Sequence, residues 1–225
     1  MKLSKRLKQI DQMVASDYDH IWDCCCDHGF LGASLLSRQA APMIHFVDIV
    51  PELMTIVASK LEKFYVNSAS AWQTHCLDVA RLPLKQHQGK HLIIIAGVGG
   101  DLMVQFINVI HQKNPHITID FLLCPVNNPF LLRQKLIALN FSLKREVLVE
   151  ENRRFYEVIL VSTTSHENRK ISPIGHDIWQ ANNIVEAKNV RQYLDKTLKH
   201  YSRIQQGGTH NVDHIINAYR NEVSL

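Results

Sequence analysis

Leu3, Leu7, Ile10 and Val14 recur at spacings of four, three and four, which predicts a short helix over 3–16 with one apolar stripe. Downstream, apolar runs of strand length alternate with helical segments. His20–Cys26 precedes a helix from Leu31, Ile44–Asp48 precedes one opening at Pro51, and Trp72–Leu77 reads as a third strand. The unbroken run His91–Ala96 reads as a strand buried on both faces, followed by a helix after Gly100. Ile117–Cys124 repeats that pattern, Pro125 ends it, and a helix follows from about Pro129 to Leu139. This alternation predicts a parallel sheet covered by helices on both faces.

The rhythm changes after Leu139. Phe141–Val149 and Phe155–Thr163 are β-rich, and the few polar residues between them leave no room for a helix. They are expected to form an antiparallel hairpin at the edge of the sheet. Five parallel strands and a terminal hairpin predict an α/β fold of the class I S-adenosylmethionine-dependent methyltransferase (Rossmann-like) type. A dinucleotide dehydrogenase would instead continue as parallel units. Ser165–Pro173 reads as a polar linker, dividing the chain into 1–164 and 165–225. Beyond it, Ala187, Val190, Leu194, Thr197, Tyr201 and Ile204 mark a helix ended by Gly207-Gly208, and Val212, Ile215, Ile216, Tyr219 and Val223 mark another. The short turn between them predicts an antiparallel helical hairpin.

Composition narrows the function classes. With 46% hydrophobic and 20% charged residues among 225, the chain is neither disordered nor a disulfide miniprotein. No apolar run reaches the eighteen or so residues of a membrane span, and the basic start, with Lys2, Lys5, Arg6 and Lys8, lacks the core of a signal peptide. Five cysteines, three of them consecutive, suit reduced thiols in the cytoplasm. A net charge of +4 permits a nucleic-acid partner.

In an open α/β sheet a small ligand binds at the carboxyl ends of the strands. Asp23, Asp48 and Asp78 follow the first three strands, and carboxylates there can accept ribose hydroxyls. Each alone reads equally as a turn or a cap, but three in register favour a cofactor. Gly97, Gly99 and Gly100 follow the most hydrophobic strand, where glycine permits a tight turn or close approach to a ligand. Asn127 and Asn128 follow the fifth strand and could read a base edge. Cys24, Cys25 and Cys26 alternate across a strand and cannot converge on one ion, so no metal is expected and the thiols read as small buried hydrophobes. The scattered histidines read as surface or core residues, apart from His28 beside Asp27.

Taken together, these motifs resemble the bacterial TrmK-type family of tRNA (adenine-N1)-methyltransferases acting at position 22 of tRNA. The resemblance rests on Leu3-Ser4-Lys5-Arg6-Leu7, Asp23 with Asp27-His28, Ile95 to Gly100, Phe155 to Ile159, and the helical C-terminal hairpin. Cys25 stands where the family has glycine, which marks a divergent branch. The resemblance implies S-adenosyl-L-methionine as cofactor, held by Asp23, Cys25, Asp48, Asp78, Gly97, Gly99 and Gly100. It implies Asp27, His28 and Asn127 as catalytic residues acting on the base. Phosphate contacts would come from the first helix and from Lys188, Arg191, Lys196, Lys199 and Arg203, in a monomer or weak homodimer. Two other readings stand beside it. One is an NAD-type oxidoreductase using Gly97–Gly100, against which Asp120, about twenty residues on, would precede its strand. The other is a non-catalytic RNA-binding protein on a degenerate methyltransferase fold, suggested by Cys25.

Overall fold

The computed structural model describes residues 3–166, 168–208 and 211–222; Lys2 and Val223, both used above, lie outside them. Seven strands form one sheet: β1 (His20–Cys24), β2 (Met43–Asp48), β3 (Ala71–Cys76), β4 (His91–Ala96), β5 (Ile119–Cys124), β6 (Ser142–Glu151) and β7 (Arg154–Ser162). Their order is β3-β2-β1-β4-β5-β7-β6. The first five are parallel, and β7 pairs antiparallel with both β5 and β6. The hairpin therefore closes the sheet with its second strand inserted next to β5.

Helices α1 (Lys5–Met13), α2 (Phe30–Ser37) and α3 (Pro51–Phe64) belong to one face of the sheet, and α4 (Gly100–Lys113) and α5 (Pro129–Ala138) to the other. Every residue of β5, and all of β4 but its last, is buried, as expected for central parallel strands. At the edge, β3 alternates exposed and half-buried positions. Ser4 caps α1 by accepting the Leu7 N–H at 3.3 Å. β1 ends two residues earlier than the apolar run because Cys25 turns into the left-handed region at φ 56°. Strand alternation would put Cys24 and Cys26 on one face; the turn at Cys25 breaks it, and Cys24 packs into one core layer while Cys26 packs into the other.

The segment after β7 runs back along β6, where the Leu143 N–H donates to the Arg169 carbonyl at 2.8 Å and Ile171 and Ile174 are buried. It leads to α6 (Ile184–Gln206), capped by Asn183, and α7 (Asp213–Glu222). Tyr201 meets Tyr219 and Gln205 meets Asp213, so α6 and α7 run antiparallel as the turn length predicts. Their apolar seam also takes in Phe130 of α5 and Ile174. A buried ion cluster ties these layers together. Arg133 of α5 donates to Glu157 of β7 and Glu146 of β6, each at 2.6 Å, and the Tyr193 hydroxyl of α6 donates to Glu157 at 2.5 Å.

Candidate functional site

The carboxyl ends of β1 and β4 flank the point where strand order reverses, the usual place for a ligand in such a sheet. A cleft of about 370 Å³ opens there, bounded by Arg6 and Leu7 of α1, the 23–28 loop and residues 96–98. Asp23, Cys25, Asp27, His28 and Gly97 all line it.

Asp23 is the fourth residue of β1 and is 4% exposed. Its carboxylate accepts the Gly32 N–H at 2.8 Å, which fixes the start of α2 beneath the loop. Burial pushes this carboxyl up to about 7; the Gly32 N–H opposes the shift and the Asp48 charge adds to it. Asp48 ends β2 and accepts two main-chain N–H groups, from Asp27 at 3.0 Å and Val50 at 3.1 Å. Cys25 sits among the three strand-end carboxylates. Its thiol is pushed up to about 12, first by burial and then by the charges of Asp48, Asp23 and Asp78. Asp27, also left-handed at φ 51°, projects outward, with His28 Nε2 3.6 Å away.

Other predicted residues lie outside the cleft. Asp78 caps a short 3-10 turn by accepting the Ala80 N–H at 2.8 Å. Gly99 and Gly100 lie against the 127–128 loop: a Cβ on Gly99 would come within 2.7 Å of Asn127 Oδ1, and one on Gly100 within 2.4 Å of the Asn128 carbonyl. These two glycines let the β4 and β5 loops approach each other. Gly97 is different, since its φ of 87° favours glycine and the space beside it is open. Asn127 faces a second cleft of about 390 Å³, between the 125–129 loop, the β6–β7 turn and α6. That cleft carries Arg153, Arg154, Lys196 and His200 with Phe155 and Tyr156. Lys188, Arg191, Lys196, Lys199 and Arg203 are all exposed along α6.

Arg6, expected on a phosphate-binding helix face, lies instead at the cleft. Its guanidinium lies over the Tyr156 ring at 4.9 Å, and its buried Nε and Nη1 have no hydrogen-bond partner among the described residues. The cleft thus brings the Arg6 cation together with the Asp23 and Asp27 side chains. The oxidoreductase reading loses its acid here. Asp120 is the second residue of β5, at the other end of the sheet, where it accepts from the Tyr18 hydroxyl at 2.6 Å and Lys144 at 2.5 Å.

The strand order, the reversed seventh strand and a cleft at the β1/β4 switch point define a class I, Rossmann-like methyltransferase fold. The chain belongs to the family described as "Methyltransferase domain", whose model matches residues 3–159. Comparison with curated protein sequences gives no match. Among solved structures it is similar to M. capricolum TrmK in complex with S-adenosyl-homocysteine, at 19% identity and a TM-score of 0.73, covering 98% of this chain and 97% of that one. It is similar to the B. subtilis M1A22 tRNA methyltransferase TrmK at 19% identity and a TM-score of 0.65, with 98% and 94% covered. Streptococcus pneumoniae Sp1610 in complex with S-adenosyl-L-methionine is alike at 19% identity and a TM-score of 0.73, with 98% and 99% covered.

Proposed function

We propose that the chain transfers a methyl group from S-adenosyl-L-methionine to N1 of an adenine in tRNA, at position 22 as in its B. subtilis neighbour, and acts in the cytoplasm. The observation that carries this reading is the cleft at the β1/β4 switch point, which gathers the Arg6 guanidinium and the Asp23 and Asp27 carboxyls at the end of the central strands. Arg6 would hold a carboxylate, Asp23 would face a positive sulfonium or ammonium, and Asp48 retains lone pairs for ribose hydroxyls. The likeness to TrmK extends over 98% of this chain, C-terminal helices included, which supports tRNA as the substrate. Five free cysteines suit a reducing compartment.

S-adenosyl-L-methionine, when bound, would supply the methyl group: its S–CH3 bond breaks as the adenine N1 lone pair attacks in line, S-adenosyl-homocysteine leaves and the ring becomes cationic. The protein's part is positioning and charge. Asp27 reaches outward from the loop over the cleft, where a carboxylate stabilises the developing positive charge and can accept a proton from the exocyclic amine. His28 orients it. Asn127, beside the second cleft, offers an amide to the base edge, and the basic residues of that cleft and of α6 meet the tRNA phosphates. Calorimetric titration with S-adenosyl-L-methionine tests the cofactor assignment. A 1:1 isotherm abolished in Arg6→Ala supports it, and absence of binding would favour a non-catalytic scaffold.

A further inference from the structure

On the face of the sheet that carries Trp22, five histidines that line neither cleft gather around that tryptophan. His20 opens β1, His45 lies in β2, His75 in β3 and His91 opens β4, while His87 lies in the loop before it. The His45 ring stacks on the buried Trp22 indole, with centroids 3.6 Å apart and planes within 7°. His20 Nδ1 stands 3.2 Å from His45 Nε2, and His45 Nδ1 stands 3.0 Å from His75 Nε2.

The surrounding groups constrain which nitrogens are free. The Gln88 carbonyl, 3.0 Å from His20 Nε2, can only accept, so that nitrogen carries the proton and the lone pair of the neutral ring is on Nδ1. In the tautomer in which His45 Nδ1–H donates to His75 Nε2, His45 Nε2 also presents a lone pair. His91 is occupied elsewhere, accepting from the Trp22 indole at 3.2 Å and donating to the His87 carbonyl at 3.1 Å. Two imidazole lone pairs then face one point, with His87 on an adjoining surface loop. One ligand atom from each of His20, His45 and His87 lies within 4.8 Å of the others.

We propose that His20, His45 and His87 bind one divalent transition-metal ion of the zinc class, stapling β1 and β2 to the loop before β4. The 3.2 Å separation already matches the edge of about 3.3 Å for a tetrahedron with metal–nitrogen bonds of about 2.0–2.1 Å. His87 closes the remaining distance by movement of its half-exposed loop. The outer shell has the form such sites take: the second nitrogen of His20 is held by a carbonyl, that of His45 by another imidazole, and Trp22 fixes the ring plane. When the ion enters, the proton between His20 and His45 moves through the chain: His45 changes from Nε2–H to Nδ1–H and His75 from Nε2–H to Nδ1–H. No proton is lost overall. The three ligands leave a fourth position for water. The sequence carries no metal-binding spacing because the ligands come from three separate elements, and the site departs from the expectation of a chain without metal.

The test is a titration of the chelator-treated full-length chain with zinc chloride, read by calorimetry and by thermal unfolding, with cobalt(II) as a spectroscopic probe. Expected are one ion per chain, a raised unfolding temperature, and cobalt absorption without a thiolate charge-transfer band. Affinity should fall at least tenfold in His87→Ala, whose side chain is half exposed and whose fold is verified by circular dichroism, and likewise in His20→Ala. It should be unchanged in a Cys25→Ser/Cys76→Ser double variant. Zinc affinity that survives both histidine substitutions, or is lost with the cysteines, would overturn the proposal, as would absence of stoichiometric binding.

Discussion

The Asp48 carboxylate accepts the main-chain N–H of Asp27 at 3.0 Å, so the acid ending β2 holds in place the loop that carries the proposed catalytic acid. One residue would therefore serve both the proposed cofactor site and the loop above it. Asp48→Ala is expected to weaken S-adenosyl-L-methionine binding by about 1–3 kcal/mol, the scale of losing charge-assisted hydrogen bonds. Calorimetry reads this directly, and unchanged affinity would remove Asp48 from the site.

Cys25 occupies a left-handed conformation at φ 56°, which costs an L-residue about 1–2 kcal/mol. Glycine relieves that strain but loses about 0.5–1 kcal/mol of backbone entropy on folding relative to alanine. Both Cys25→Gly and Cys25→Ala remove the thiol, so comparing them isolates the backbone. The glycine variant should be the more stable by about 0.5–1 kcal/mol, a reversal of the order found in strands and helices. Equal melting temperatures, or alanine above glycine, would show that the loop relaxes without cost.

Asp23 supplies a pH dependence whose sign is fixed. Its folded carboxyl stands near 7, above the unfolded value of 3.8, so between these limits the folded chain holds a proton that the unfolded chain releases. Its contribution to stability is full below pH 3.8 and is lost as pH rises toward 7. An asparagine side chain at this position does not titrate. Asp23→Asn should therefore gain stability relative to the parent chain between about pH 5 and pH 8, seen in denaturation midpoints at the two values. A difference that stays constant with pH would place the Asp23 pKa near its ordinary value.

The sheet was legible in the sequence because its central strands are unbroken apolar runs and its hairpin leaves no room for a helix. That Asp23, Asp27 and Gly97 come together at one cleft was legible because strand ends are visible in the pattern. What remained hidden is what depends on pairing across distant elements. Glu146 and Glu157 fall in β6 and β7 as ordinary polar positions, and nothing local marks them as partners of Arg133. Arg6 reads as one of several basic residues on an amphipathic helix, and only the packing of α1 against Tyr156 leaves its guanidinium facing the cleft. Gly99 and Gly100 look like ligand glycines until the 127–128 loop is seen against them.

The ion cluster makes the strongest stability prediction. The Arg133 side chain is 0% exposed, and Glu146 and Glu157 are 0% and 1% exposed. Arg133→Met would leave two buried carboxylates facing each other without a counter-charge. Removing one partner of such a buried pair costs about 3–5 kcal/mol. Urea unfolding should report a loss of this size, with α6 loosened because Glu157 also anchors Tyr193. A loss below about 1 kcal/mol would mean that water enters the cluster freely.

The central claim is methyl transfer to adenine N1 of tRNA, with Asp27 stabilising the charge that appears on the ring. The most direct measurement incubates the chain with S-adenosyl-L-methionine and an unmodified tRNA transcript bearing adenine at position 22, then identifies the methylated nucleoside by mass spectrometry. The expected product is 1-methyladenosine at that position, formed about a hundredfold more slowly in single turnover by Asp27→Asn, with cofactor and tRNA affinities little changed. No 1-methyladenosine from a chain that binds both ligands, or equal rates in Asp27→Asn, would contradict it.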